Sequence, residues 1–358
     1  MKRFFLRMII ISTWTGVIFG ALYLPKISFL KNEHNTIHVF AWGDILEPSV
    51  IAKFEKETGI KIRISYYASN EELIVKMKAT KGQGYDLIIP SDYAVKVLIN
   101  ENLLQPIAKE KLSFWHEIHP GLLGHEFDPK NTYSIPLEWE IFGFGINKDY
   151  FANQPFTPSW KLIFNKDQIH YKIAMCNDPI EATLFAGYYL FKSTNPIDEA
   201  QSVLVKNLLK QQKKWVEAYA NFRGDYFLAT KNCPVAVASS SYIWKTMRQF
   251  PFITFVVPEE GTFLSIENLA LSSAAKNQEL AYQFINYLFR HESVIQQFKT
   301  FGFFPSTLQS IDNVEIDPLA KEFIGSIDHQ FSNFHFTKEI MSQEKIHELW
   351  VEVKSEGE

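Results

Sequence analysis

Residues 37–93, IHVFAWGDILEPSVIAKFEKETGIKIRISYYASNEELIVKMKATKGQGYDLIIPSDY, contain three short β-type runs, each followed by a polar or charged segment with helical spacing. Residues 48–58 read as an amphipathic helix with Val50, Ile51 and Phe54 on one face and Gly59 closing it. Residues 61–67 alternate as a strand, and Ser69 with Glu72 forms a capping box before a helix over 73–79. Residues 85–90 are a nearly continuous apolar run, as in a parallel strand covered on both faces, and 93–101 read as a helix. Ligands of an open α/β sheet sit beyond the carboxyl ends of its strands. The first run ends in Trp42-Gly43-Asp44 and the last in Pro90-Ser91-Asp92-Tyr93, so two strand ends aim an aromatic ring, carboxylates and a hydroxyl at one crevice.

After a turn at 128–131, residues 139–147 alternate small and bulky side chains. They read as a long strand, relaxed by Gly143 and Gly145, that crosses between domains. Beyond Pro158-Ser159-Trp160 the rhythm restarts with a strand at 172–176, a helix at 181–191, a long polar helix at 198–220 and a strand at 234–239. Residues 252–261 read as the return hinge, 267–271 rejoin the first lobe, 279–290 pack on it as a helix, and a helix at 342–354 returns to the second lobe. The expected architecture is therefore two α/β lobes joined by crossover strands: 37–140 with 262–308, and 141–261 with 309–358. A chain of 358 residues accommodates this, and with 46% hydrophobic and 21% charged residues it reads as globular.

Residues 1–36 precede that pattern. Lys2, Arg3 and Arg7 lead into an apolar run, 8–24, which has the layout of an export signal. As a helix the run would reach about 26 Å, just short of a hydrocarbon core. Its cleavage site is poor, because a cut after Ala21 puts Phe19 where a small residue is preferred. A poorly cleaved signal and a retained anchor both fit. Cys176 and Cys233 fit no metal or redox spacing; export would permit a disulfide, whereas their apolar surroundings read as buried thiols.

No G-x-S-x-G elbow, H-E-x-x-H, P-loop or G-x-G-x-x-G behind a strand occurs, so no enzyme, metal or cofactor is expected. The formal charge of −4, with no basic stripe, disfavours nucleic acid. A binding cleft fits better. Trp42 offers a ring at the sheet's rim or a core tryptophan; Asp44 is a cleft carboxylate or an N-cap; Ser91, Asp92 and Tyr93 line the crevice or cap a helix. Asp178 and Glu181 repeat the arrangement in the second lobe, where helix-start preference is the alternative. Glu267, in a strand-like run, lies on a solvated edge or in the cleft. Glu138 and Glu140 are expected to point to opposite faces, so that at most one reaches the crevice. Carboxylates gathered in one groove repel unless a cation enters, and aromatic faces suit an extended amine.

The runs FAWGD, FEKETGIKI, SNEEL, YDLIIPSDY and YSIPLEWEIFGFGIN resemble the periplasmic spermidine/putrescine-binding proteins, the solute receptors of polyamine ABC importers, from Ile37 onward. The resemblance implies a two-lobed type II periplasmic-binding-protein fold that binds without chemistry, as a monomer, and passes ligand to an inner-membrane permease. It implies ligand contacts from Trp42, Ser91, Tyr93, Asp178 and Glu181, with Glu267 where the family has an aspartate. Asp178 and Glu267 would then hold the charged groups, and Trp42 and Tyr93 would pack along the methylenes. Gly43 and Ile45 replace a hydroxyl residue and a tyrosine, Ser239 and Ser265 stand where the family has two boxing tryptophans, and a family glutamine falls near Thr337. Tyr242, Trp244 and Phe263 are the candidates to replace the lost rings. The alternatives are a receptor of this fold for another small cation or zwitterion, and a membrane-tethered ligand sensor.

Overall fold

The computed structural model of the chain describes residues 12–15, 18, 35–220, 224–307, 318–328 and 331–355. The expected export or anchor segment lies outside them apart from 12–15 and 18. No described helix is long and apolar enough to cross a membrane.

Among the described residues, eleven strands carry the fold: β1 (Thr36–Trp42), β2 (Lys61–Tyr67), β3 (Leu87–Ile88), β4 (Ile135–Asn147), β5 (Ile173–Met175), β6 (Val216–Tyr219), β7 (Val235–Ser239), β8 (Ile253–Val256), β9 (Thr262–Leu271), β10 (Phe304–Pro305) and β11 (Phe334–Phe336). They follow the path β2-β1-β3-β9-β4-β7-β5-β6, with β8 and β10 on β4 and β11 on β9. The β1, β2 and β3 pairings are parallel, as are those of β5 with β6 and β7, whereas β9 lies antiparallel between β3 and β4.

The local reasons follow the sequence. Pro48 opens the helix Pro48–Thr58, the Glu47 carboxylate accepts from the Val50 N–H, and Gly59 ends it at φ 72°, where a side chain would be strained. Ser69 caps Asn70–Thr80 by accepting from the Glu72 N–H, but the Glu72 carboxylate reaches back to Ala68 rather than to Ser69, so the capping box is displaced by one residue. Ile37, Val39 and Ala41 of β1 join the core on one face of the sheet, with Phe54, Leu269 and Phe284, while Phe40 joins the core on the other, with Leu73, Ile88 and Leu98. That two-sided burial is why these strands read as apolar runs. A second large core holds Phe144, Trp160, Phe185 and Val237 together with Leu349 and Trp350 of the C-terminal helix Gln343–Ser355.

β4 and β9 tie the two regions together. Residues 135–141 of β4 pair with β9, while 142–147 pair with β7 and β8. The expected long helix at 198–220 is instead the helix Glu199–Gln212, a tight turn at Lys213–Trp215 and the strand β6. Val216 and Tyr219 prefer strand, and pairing with β5 decides the matter. Residues 253–256 of the expected return hinge form β8, which pairs antiparallel with β4, and the chain then passes through Gly261 into β9.

Gly143 does more than relax β4. A Cβ there would lie 2.5 Å from the Phe255 ring and 2.6 Å from the Val256 carbonyl oxygen, so glycine permits β8 to press against β4. Gly143→Ala is expected to cost about 1–3 kcal/mol and to lower the melting temperature in calorimetry; an unchanged transition would refute this account of the contact.

Candidate functional site

A cavity of about 360 Å³ lies where the strand ends converge. Trp42 and Gly43 follow β1, Asn70 and Glu71 follow β2, and Ser91, Asp92 and Tyr93 follow β3. Across from them stand Cys176, Asp178 and Glu181 after β5, and Ser239 and Tyr242 after β7. Glu140 of β4 with Ser265 and Glu267 of β9 form the floor, and Thr337, Lys338 and Glu339 after β11 form a further wall. Among the described residues, seven carboxylates line the cavity against one ammonium, that of Lys338.

Glu267 is 7% exposed. Its Oε1 accepts from the Ser91 hydroxyl at 2.9 Å, and its Oε2 is buried without a partner. Burial, with Glu140 and Asp92 nearby, pushes its carboxyl up to about 8. Of the two readings open for Glu267, the structure selects the cleft. Asp92 is 4% exposed, accepts from the Tyr93 N–H at 2.7 Å through Oδ1, and leaves Oδ2 buried and unpartnered. Burial pushes it up to about 7.

Ser91 stands at the N-cap position of Asp92–Asn100 yet makes no cap bond, because its hydroxyl serves Glu267 and also accepts from Asn70 at 3.2 Å. Asp178 does cap Pro179–Phe191, accepting from the Ile180 and Glu181 N–H groups at 2.8 and 3.0 Å. Capping and cleft lining coexist in this residue. Glu181 is pushed well above the usual carboxylate range by burial, then by Asp178 and Glu140.

Trp42 is half-buried against Tyr67, with ring centroids 4.6 Å apart, so it is both core and cleft wall. Its indole N–H faces Glu267 closely enough to lower that carboxyl but outside hydrogen-bond geometry. The Tyr93 hydroxyl accepts from the Gln343 side chain, which links the helix after β3 to the C-terminal helix.

Several expectations need correction. Asp44 does not line the cavity: it sits at φ 59° with an exposed side chain 4.0 Å from the Lys245 Nζ, and the helix after it is capped by Glu47. Trp244 and Phe263 do not replace lost rings, since both are packed in apolar cores, whereas Tyr242 does line the cavity. Glu138 and Glu140 are two apart on one strand and share a face; it is Trp139 that points away. Only Glu140 reaches the cavity, because Glu138 is 3% exposed and lies beside Leu288, Gln297 and Pro305. Cys176 and Cys233 are buried free thiols, and Cys176 lines the cleft.

Asn70 and Glu71 were missed, although strand-end reasoning applied to β2 finds them. Thr337 was marked by the resemblance alone, and Lys338, Glu339 and Gln343 had no signal, because β11 is three residues long and shows no periodicity. Among the described residues, no group of three His, Cys, Asp or Glu side chains is arranged to hold a metal ion.

A family model for bacterial extracellular solute-binding proteins matches residues 49–322. The spermidine/putrescine-binding periplasmic protein of Escherichia coli is 31% identical over 286 residues, covering 79% of this chain and 81% of that one. The putrescine-binding periplasmic protein PotF of the same organism is 30% identical over 300 residues, covering 78% and 80%. Among solved structures, a putative spermidine/putrescine ABC transporter from Listeria monocytogenes superposes with a TM-score of 0.77 at 26% identity, covering 90% of this chain and 99% of that one. The spermidine/putrescine substrate-binding protein of Streptococcus pneumoniae, with calcium and HEPES, superposes at 0.78 with 24% identity, covering 89% and 98%; it shows the same two-lobed fold.

Proposed function

Because this chain belongs to the bacterial extracellular solute-binding proteins, we propose that it captures a polyamine of the spermidine/putrescine class and delivers it to the membrane permease of an ABC importer. One observation carries the reading: two buried carboxylates, Asp92 and Glu267, each with an oxygen that has no partner among the described residues, belong to the lining of a cleft that also holds Trp42, Tyr93 and Tyr242. Burying such charges is costly until a cation enters, and an ammonium against an aromatic face adds about 0.5–2 kcal/mol. A zwitterion would bring a carboxylate into this acidic cleft and find, among the described residues, only the Lys338 ammonium on its walls to oppose it.

In this reading lobe 1 comprises 37–140 with 262–308 and lobe 2 comprises 141–261 with 309–358, and the cleft closes between them on ligand. The division follows β4, whose partners change after Ile141, and β9 beside it. The protein acts as a monomer on the outer side of the inner membrane, in the periplasm, with residues 8–24 as export signal or tether. The match to the extracellular solute-binding family and the likeness to periplasmic relatives support the placement.

Putrescine and spermidine are expected to raise the melting temperature and to alter the emission of Trp42. No response at millimolar amine, in a panel with amino acids and divalent cations as alternatives, overturns the reading.

A further inference from the structure

The cleft has acids at both ends, and it also has one in the middle. Asp92 and Glu267 lie at the β3 and β9 side, while Asp178 and Glu181 lie beyond β5. Glu140 sits between them, at the point where β4 changes partners: Glu140 faces Ser265 on β9, whereas Phe142 faces Ser239 on β7. Its carboxylate is close enough to both ends to act electrostatically on Glu267 and on Glu181. The surroundings are polar. The Ser241 hydroxyl donates to Glu140 Oε2 at 2.5 Å, and the Ser239 and Ser241 hydroxyls lie 3.1 Å apart. Methylene groups pack poorly over a carboxylate and serine hydroxyls, because they displace water without replacing its hydrogen bonds.

We propose that Glu140 is a specificity-determining residue that pairs with a central ammonium, so that the cleft selects linear triamines with an internal charge over diamines of the same length. This rests on the polyamine reading above and refines it. The end carboxylates hold the terminal ammonium groups of both, and Glu140 separates the two. The cation that acts on it, Lys245, lies toward Asp44 at the rim rather than in the cavity wall.

The test compares spermidine with 1,8-diaminooctane, which has the same chain length but a methylene in place of the central nitrogen. Calorimetry on the wild-type protein is expected to find spermidine bound at least about 30-fold more tightly than 1,8-diaminooctane. In Glu140→Gln, which keeps an acceptor for Ser241, that ratio is expected to fall to about 3-fold or less, with 1,8-diaminooctane affinity changed by no more than about 3-fold. A wild-type ratio near one, or equal losses for both amines in the variant, overturns the role of Glu140 while leaving amine binding intact. Absence of binding by every amine to the wild-type protein overturns the polyamine reading itself.

Discussion

Replacing Glu267 with glutamine is expected to move binding and stability in opposite directions. Amine affinity should fall by a factor on the order of 10² to 10³, because truncating the charge of a buried ion pair costs about 3–4 kcal/mol. The ligand-free protein should become more stable above about pH 8, where the wild-type carboxyl is ionised with Oε2 unpartnered. Glutamine still accepts from the Ser91 hydroxyl that holds Oε1 at 2.9 Å, so the local geometry is kept. Calorimetric titration with spermidine and thermal melts at pH 9 read the two effects. If the variant binds as the wild type does, or melts lower, Glu267 is not the charge that waits for the guest.

The second prediction concerns pH. Glu267 and Asp92 have folded-state values of about 8 and about 7, both above those of the unfolded chain, so the folded protein holds protons that the unfolded chain gives up. Their contribution to stability is therefore fully present below about pH 4 and is lost as pH climbs to about 8. At about 1.4 kcal/mol per pK unit, discounted for the interaction between the two carboxyls, the loss is on the order of a few kcal/mol. The ligand-free melting temperature should fall between pH 5 and pH 8.5, and saturating spermidine should remove most of the fall. Binding near pH 7 should also release about one proton, read by titration in buffers of differing ionisation enthalpy. A melting temperature that rises over this range, with no proton released, would mean that both carboxyls are already neutralised within the protein.

Glu138 bears on the same experiment. It lies directly opposite Glu267 in the ladder of β4 and β9, is almost wholly buried, and has an unpartnered Oε1. Burial, with Glu267 and Glu140 nearby, pushes it well above the usual carboxylate range. Like charges directly opposed on a sheet are destabilising, so the pair accommodates one charge more easily than two. The pair therefore titrates as a unit, and the released proton belongs to the cluster rather than to one oxygen.

The part of the site that lies at strand ends was legible in the chain because strand-end chemistry is local. Trp42, Ser91–Tyr93, Asp178 and Glu181 each follow an apolar run whose direction and partner faces are written in its own residues. Asp44 misled because its acidic side chain suits a cap or a cleft equally, and only its φ of 59° turns it outward. Glu140 was readable as a strand residue but not as the centre of the cleft, since that depends on β4 exchanging β9 for β7 beside it. Trp244 and Phe263 looked like spare rings because aromatic content does not distinguish a wall from a core. The wall at 337–339 rests on a three-residue strand added to β9 from the far end of the chain, a contact without local periodicity.

The position of β9 has a consequence for biogenesis. It lies between β3 and β4, so the sheet begun by residues 36–88 cannot be completed until residue 271 has been synthesised. Such long-range pairing closes large loops before any contact stabilises them and folds slowly. An emerging chain of this topology keeps its first sheet incomplete through most of its translation, a useful delay for a member of an extracellular family.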